Sequence, residues 1–185
     1  GFDNCVAAID GMLLWTLKPM ESDCPVAGIG PKKFYHGKKK YGMNMQGVCD
    51  ADRKFLDIEV RHPASASDFL CFSSSSLKKK LDTAGFLKEG YCLFGDNAYV
   101  SNDQMITPFK SVCAGSRDDF NFYQSQLRIN IECAFGMLVS RWGVLRKPLS
   151  SLMGLSRVSA TVMALCSLHN YCIDEVLIRK QGNRN

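Results

Sequence analysis

The feature that most constrains the fold is a short apolar segment that ends in a carboxylate. Residues 91–94 are aromatic, aliphatic or cysteine throughout, which predicts a buried β-strand. The segment stops at Gly95, and Asp96 follows at its tip. Burying a carboxylate there is costly unless something pairs with it, and a divalent metal ion is one such partner. The alternative is an ordinary turn, because Asp-Asn after Gly is common turn chemistry.

A second apolar stretch, residues 6–15, also carries a single carboxylate, Asp10. Its length and its glycine, Gly11, predict a buried strand that takes Asp10 into the interior or to a cleft. A hairpin turn at Asp10-Gly11 is the alternative. We favour the strand, because the apolar run resumes directly after Gly11 without the polar residues of a surface turn.

Two more strands are predicted at residues 42–48 and 55–60, with a hairpin turn between them at 49–54. Residues 55–60 alternate apolar and polar side chains, as a strand with one wet face does. Pro63 ends this strand. Together with residues 6–15, the pair predicts a three-stranded start to a sheet.

A helix is predicted to follow, from about Asp68 into residues 73–81, with Ser65 or Ser67 as its cap. The helix dipole favours an acidic residue in a first turn, which is one explanation of Asp68. An accessory role at a functional site is the other.

Two long helices are predicted in the last third of the chain. The first begins near Phe120 and carries apolar residues at helical spacing. They are Leu127, Ile131, Ala134, Phe135, Leu138 and Trp142. Glu132 lies at the border of this stripe, where it is either a structural residue or a ligand. Residues 143–148 break the helix, and the second helix covers 152–173 with Ser156 as its candidate cap.

Composition excludes several classes of protein. The chain has 185 residues, enough for one domain with a sizeable core, and no apolar run approaches the ~20 residues of a membrane span. Its nine cysteines are scattered and form no Cys-x-x-Cys pair. We interpret them as reduced core thiols of an intracellular protein, and not as a disulfide frame or a zinc site. Because a strand begins almost at Gly1, we expect the chain to be part of a longer protein.

A basic segment follows a proline-rich loop. Its lysines are interleaved with aromatic residues, in a chain of net charge +5. They are Lys32, Lys33, Lys38, Lys39 and Lys40. Such a run is either a solvated surface or a surface that binds the phosphates of a nucleic acid.

Three carboxylates therefore stand out: Asp10, Asp96 and Glu132. Carboxylates of this kind can bridge two metal ions ~3.5–4 Å apart, which activate a water and stabilise the leaving oxygen in phosphodiester cleavage. Mg²⁺ prefers such oxygen ligands. The order of strand, hairpin pair, helix, strand with Asp and helix with Glu resembles an RNase H-like nuclease. We therefore predict an α/β fold with an RNase H-like mixed sheet flanked by helices.

The chain also resembles the DDE catalytic domain of PIF/Harbinger-type transposases, over about residues 6–175. The matching segments are Ala8-Ile9-Asp10-Gly11, Lys39-Lys40-Tyr41-Gly42-Met43-Asn44, Cys49-Asp50-Ala51-Asp52, Pro63-Ala64-Ser65-Ala66-Ser67-Asp68, Leu93-Phe94-Gly95-Asp96-Asn97-Ala98-Tyr99, Leu127-Arg128-Ile129-Asn130-Ile131-Glu132-Cys133-Ala134-Phe135-Gly136 and Leu168-His169-Asn170-Tyr171. These motifs are specific when they are taken together.

The resemblance implies that Asp10, Asp96 and Glu132 are the catalytic residues and the ligands of two Mg²⁺ or Mn²⁺ ions. The implied reaction is hydrolysis of DNA at the end of a transposable element, followed by attack of the freed 3′-hydroxyl on target DNA. DNA is the implied partner. A nuclear location, a separately encoded DNA-binding partner protein, a homo-oligomer and no membrane association are further expectations.

Two more residues are candidates for the site. Asp68 is a candidate accessory acid. Arg128 precedes Glu132 by one helical turn and is a candidate partner of Glu132 or of a phosphate. We expect the catalytic domain to cover residues 1–178 and a polar, frayed tail to cover 179–185.

The segment after the first carboxylate departs from the family. Met12-Leu13-Leu14 stand where the family has a small polar residue and often a histidine. Substrate contacts near Asp10 therefore do not carry over from the resemblance. Two alternative functions stay open: a domesticated derivative that binds DNA or protein without cutting, and an unrelated metal-dependent phosphohydrolase.

Overall fold

The long apolar segments of the chain become the middle of one mixed sheet. The computed structural model describes residues 2–24, 29–37, 39–111, 114–150 and 154–182. These ranges hold six strands: β1 (Cys5–Thr16), β2 (Tyr35–His36), β3 (Lys40–Cys49), β4 (Phe55–Pro63), β5 (Cys92–Phe94) and β6 (Met105–Ile106). Across the sheet, β2 and β4 both pair with β3, and β1, β5 and β6 follow on its other side.

The directions of the strands define the fold class. β1, β3 and β4 form an antiparallel meander, whereas β5 is parallel to β1 and β6 is parallel to β5. β1 passes through Asp10 and Gly11 and pairs Asp10 with Gly47, so the hairpin alternative at this dipeptide is wrong. A meander extended by short parallel strands and flanked by helices is an RNase H-like layout. The predicted α/β fold is therefore confirmed.

Two short helices follow the meander where the sequence predicts one. They are α1 (Asp68–Ser73) and α2 (Ser76–Leu81). The side chain of Ser67 caps α1 by accepting the Leu70 N–H at 3.3 Å. The prediction of a single helix is wrong. Ser75 is the N-cap of a second helix, α2, because its side chain accepts the Lys78 N–H at 3.0 Å.

Both long helices extend beyond their predicted bounds. α3 (Ser116–Arg141) begins four residues before Phe120, and α4 (Leu155–Gly182) places Ser156 inside the helix, so Ser156 is not its cap. Residue 152, the predicted start of that helix, lies outside the described residues. α4 continues past 178, so residues 179–182 are helical where a frayed tail is expected. Short 3-10 helices lie at Glu21–Asp23, Pro31–Phe34 and Gly143–Arg146.

The sheet separates two hydrophobic clusters. One includes Ala8, Leu14, Met45, Ile131, Leu138 and Val162, and the other includes Ile9, Val48, Phe72, Leu81 and Leu93. Alternate residues of a strand face opposite sides of a sheet. Asp10 shares the face of Ala8 and Leu14 and points toward α3, whereas Gly11 faces α1.

A polar clip holds α4 against the start of β4. Asn170 accepts the Phe55 N–H at 2.8 Å and donates to the Phe55 carbonyl at 2.7 Å. Buried His169 accepts from Arg141 at 2.9 Å through Nδ1, so its Nε2–H donates to the Arg53 carbonyl at 3.0 Å. Burial lowers the pKa of His169, which keeps the imidazole neutral and able to make both bonds.

Eight of the nine cysteines lie in the described ranges, and all eight are free thiols. Cys49, Cys71 and Cys166 are buried in the core, where burial raises the pKa of each to about 12. Cys113 lies outside the described residues. None of the described helices is long and apolar enough to cross a membrane.

Candidate active site

Asp10 lies in the middle of the sheet, at the point where β1 extends beyond β5. Its side chain is 18% exposed. Burial raises the pKa of the Asp10 carboxyl to about 6, although Oδ1 accepts the Gly11 N–H at 2.8 Å. The negative charges of Asp96 and Asp68 add to the rise, and the positive charge of Arg128 opposes it. Asp10 is therefore surrounded by two further carboxylates and one guanidinium.

Asp96 follows β5 directly, as the sequence predicts, and its side chain starts a turn. Its Oδ1 accepts the Ala98 N–H at 2.8 Å. Buried Gln124 of α3 donates to the Gly95 carbonyl at 2.8 Å and ties this turn to the helix. Asp96 thus has the turn geometry of one interpretation, and its negative charge acts on Asp10; its role as a metal ligand stays a prediction.

One face of α3 presents three polar residues to this region, each one turn apart: Gln124, Arg128 and Glu132. The Nη1 atom of Arg128 lies 2.8 Å from Oε1 of Glu132 and 3.5 Å from Oδ2 of Asp10. The side chain of Glu132 is 50% exposed. Arg128 therefore bridges the first and third carboxylates of the predicted triad. Gln124 is fully buried, whereas Leu127 of the predicted apolar stripe is 37% exposed.

Arg128 is the positively charged partner of two of the three carboxylates. Among the described residues, no three His, Cys, Asp or Glu side chains are grouped closely enough to hold a metal ion. The guanidinium of Arg128 stands between Asp10 and Glu132 and neutralises part of their charge. A cation that binds Oδ2 of Asp10 and Oε1 of Glu132 has to displace Arg128 from both oxygens.

Asp68 belongs to a second polar network, on the α1 side of β1. Its Oδ1 accepts from Asn44 at 2.8 Å and from Gln46 at 2.9 Å. The buried Tyr99 hydroxyl donates to Oε1 of Gln46 at 2.7 Å. Burial, followed by the charge of Asp68, raises the pKa of Tyr99, so the phenol stays protonated as a donor.

The network depends on a glycine in β1. A Cβ atom at Gly11 would lie 2.0 Å from Oδ1 of Asp68 and 2.9 Å from Nε2 of Gln46. Gly11 therefore lets the Asp68 carboxylate approach the backbone next to Asp10. The sequence reasoning missed Asn44, Gln46 and Tyr99, although two amides spaced by two on an apolar strand are a usable signal, since they share one face.

The described lysines of the basic segment lie on either side of β2. Lys32 and Lys33 are exposed in the 3-10 helix before β2, Lys39 is exposed after β2, and Lys40 is the exposed first residue of β3. The Lys40 ammonium lies 4.1 Å from the centre of the Trp15 ring. Lys38 lies outside the described residues.

The comparison with protein families identifies the class of protein. A family model described as a DDE superfamily endonuclease matches residues 23–170. The chain therefore belongs to the DDE superfamily endonucleases, and the recognition of a PIF/Harbinger-type DDE domain is confirmed at this level. The matched range contains Asp96 and Glu132 and begins after Asp10.

Two known proteins are similar to the chain. Protein ALP1-like from Arabidopsis thaliana is 23% identical over 186 residues, which cover 94% of this chain and 44% of that protein. The chain thus spans less than half the length of this curated relative. A cryo-EM structure of the piggyBac transposase synaptic complex with hairpin DNA is similar at 9% identity and a TM-score of 0.49, covering 95% of this chain and 48% of that chain.

Proposed function

We propose that the chain is the metal-dependent DNA endonuclease and strand-transfer domain of a Harbinger-like DNA transposase. One observation carries the proposal: within a DDE endonuclease chain, Arg128 of α3 contacts both Asp10 and Glu132. The negative charge of Asp96, which contributes to the raised pKa of Asp10, supports the inclusion of Asp96 in the same site.

The donor set fits a hard divalent cation. All three side chains offer carboxylate oxygens, which Mg²⁺ and Mn²⁺ prefer. Burial and neighbouring carboxylates raise the pKa of Asp10, so a bound cation would relieve an unfavourable charge. In this proposal, Asp10, Asp96 and Glu132 would hold two Mg²⁺ or Mn²⁺ ions, and the bound ions would supply the activation of a water and the stabilisation of the leaving oxygen.

The other polar residues position this site. Arg128 holds Glu132 toward Asp10 and, once released, is within reach of a DNA phosphate. Gln124 fixes the turn that carries Asp96. Asp68 is held by two amide donors on the far side of Gly11, which makes it an accessory residue and not a member of the triad.

The first test uses Asp96→Asn, because an amide keeps the shape of the carboxylate and removes its charge. We expect supercoiled plasmid to be nicked by the wild-type domain in Mn²⁺ but not in EDTA, and nicking to disappear in the variant. Calorimetry should show that Mn²⁺ affinity falls with it. Asp103→Asn is the matched control, since Asp103 is an exposed aspartate. Unchanged Mn²⁺ affinity in Asp96→Asn would reject the site.

The same assay separates the alternative functions. A domesticated derivative would bind DNA and leave the plasmid intact in every metal. An unrelated phosphohydrolase would cleave small phosphate esters in preference to DNA.

The lysine segment supplies a second prediction. If Lys38, Lys39 and Lys40 contact phosphates, their joint replacement by Gln should reduce the slope of log affinity against log salt by up to ~0.9 per contact. Fluorescence anisotropy on duplex DNA at several salt concentrations measures the slope. The control replaces Lys78, Lys79 and Lys80 of α2, which is another run of three lysines. An unchanged slope would make the segment an ordinary solvated surface.

The cellular setting is part of the proposal. A domain that cuts chromosomal DNA would act in the nucleus. We propose DNA as its substrate, a separately encoded DNA-binding protein as its partner and a homo-oligomer as its working form.

A further inference from the structure

A cleft of about 590 Å³ opens on the α1 side of β1, next to the candidate active site. Its walls come from β1, from the β2 hairpin and from the segment that leads into α1. They include Gly11, Leu13, Tyr35, His36, Ser65 and Asp68. A volume of this size accommodates one small ligand.

The cleft and the triad meet around an open edge of β1. β5 pairs with β1 as far as Ala8, and Leu149 pairs with Thr16. Between these points, the described residues provide no strand partner for β1 on this side. Asp10 lies on one face of this open stretch, and Gly11 lies on the other. A strand of DNA positioned over Asp10 can therefore reach the cleft without crossing the sheet.

The interior of the cleft combines a carboxylate with an exposed aromatic ring. The Oδ1 atom of Asp68 is saturated by Asn44 and Gln46, and in the described part of the chain Oδ2 has no hydrogen-bond partner. Oδ2 can accept the amino or imino hydrogen of a nucleobase, and it repels a phosphate. Tyr35 is 45% exposed, and its ring, which makes an edge contact with Tyr41, offers a surface on which a base can stack.

Basic residues adjoin the walls of the cleft along the chain. Lys39 and Lys40 follow the lining residues 35–37, and both are exposed. The backbone carbonyl of Lys33 accepts the Ser65 N–H at 3.1 Å, which holds the backbone of Lys33 against the cleft wall. Lysines beside an acidic, aromatic interior suit a nucleotide whose phosphates stay outside while its base enters.

We propose that this cleft is a binding site for one unpaired nucleotide adjacent to the cleaved phosphate. The base stacks on Tyr35 and donates a hydrogen bond to Asp68, and the flanking phosphates lie against the lysines. This inference rests on the proposed function and adds a substrate preference to it. The domain should bind a DNA end with unpaired nucleotides more tightly than a fully paired end.

The test is an equilibrium binding experiment without metal, so that cleavage does not contribute. The probes are two fluorescent duplexes with a two-nucleotide 3′ overhang, one carrying adenines and the other abasic at both positions. We expect the wild-type domain to bind the adenine overhang about 5- to 140-fold more tightly, which is the range measured for stacking of one base on an aromatic residue. Equal affinity for the two probes would overturn the inference.

Variants show which residues produce the preference for the adenine overhang. Tyr35→Ala should make the affinities for the two probes equal, and Tyr35→Phe should retain the wild-type difference. Tyr171→Ala on α4 is the matched control, because Tyr171 is an exposed tyrosine remote from the lining of the cleft. Ser65→Phe fills the cleft from an exposed position, and it should make the affinities for the two probes equal while Tyr35 is still present. A preference that survives both Tyr35→Ala and Ser65→Phe would also overturn the inference.

Failure of this inference is distinguishable from failure of the proposed function. If the domain binds both overhangs equally and nicks plasmid in Mn²⁺, the cleft inference fails alone. If the domain neither binds duplex DNA nor nicks plasmid, both fail.

Discussion

Replacing Glu132 with glutamine is expected to abolish Mn²⁺-dependent nicking while the domain stays folded. Glutamine keeps the volume of the side chain and its helix propensity, and removes only the charge. The Glu132 side chain is 50% exposed, and its ion pair with Arg128 at the surface is worth about 0–1 kcal/mol. Loss of a catalytic group, in contrast, typically reduces the rate by at least about 10³-fold.

Thermal melting without metal measures the stability of the domain, and plasmid nicking in Mn²⁺ measures its activity. Glu175→Gln on α4 is the control for a glutamate-to-glutamine change in a long helix, and it should leave both unchanged. A Glu132→Gln variant that melts much earlier and still nicks DNA would show that Glu132 is a structural partner of Arg128.

Asp10→Asn is expected to stabilise the metal-free domain at neutral pH while abolishing nicking. Burial raises the pKa of Asp10 from an ordinary value of 3.8 to about 6, so the folded state binds a proton that the unfolded state has lost. The contribution of Asp10 to stability is therefore complete below pH 3.8 and is lost as the pH rises through about 6. At pH 8 the ionised carboxylate costs about 3 kcal/mol relative to a neutral group, at about 1.4 kcal/mol per pKa unit.

Denaturant unfolding of both proteins in EDTA, at pH 8 and at pH 4, measures this cost. The stability gained by Asp10→Asn should be largest at pH 8 and should nearly vanish at pH 4. Asp103→Asn, at an exposed aspartate, should show no such dependence. A difference that is equal at both pH values would mean that the carboxylate is not held in an unfavourable site.

β1, β3, β4 and β5 could be predicted from the sequence because their residues are continuously apolar or clearly alternate. β2 and β6 could not, since two residues are too short to form a pattern. The break between α1 and α2 was not predicted because Ser74 and Ser75 belong to a run of serines. Helix propensity alone does not distinguish an N-cap serine from a serine inside a helix. The buried Gln124 was missed because its burial follows from a bond to the Gly95 carbonyl, a tertiary contact.

The candidate site shows the same division between local and tertiary information. Asp10 and Asp96 were recognisable because each interrupts or ends an apolar strand. The bridge from Arg128 to Asp10 was not, since it joins residues 118 positions apart. The amides that hold Asp68 depend on the register of β1 with β3, which brings Gln46 opposite Gly11.

The hydrogen bonds between Asn170 and the backbone of Phe55 limit how this domain can associate with other chains. β4 is an edge strand, and unpaired edges recruit strands from other molecules. The Asn170 side chain satisfies both backbone groups of Phe55 and so occupies the place of a neighbouring strand at that end. Partners that extend the sheet are therefore excluded there, which protects the start of β4 from edge-to-edge aggregation.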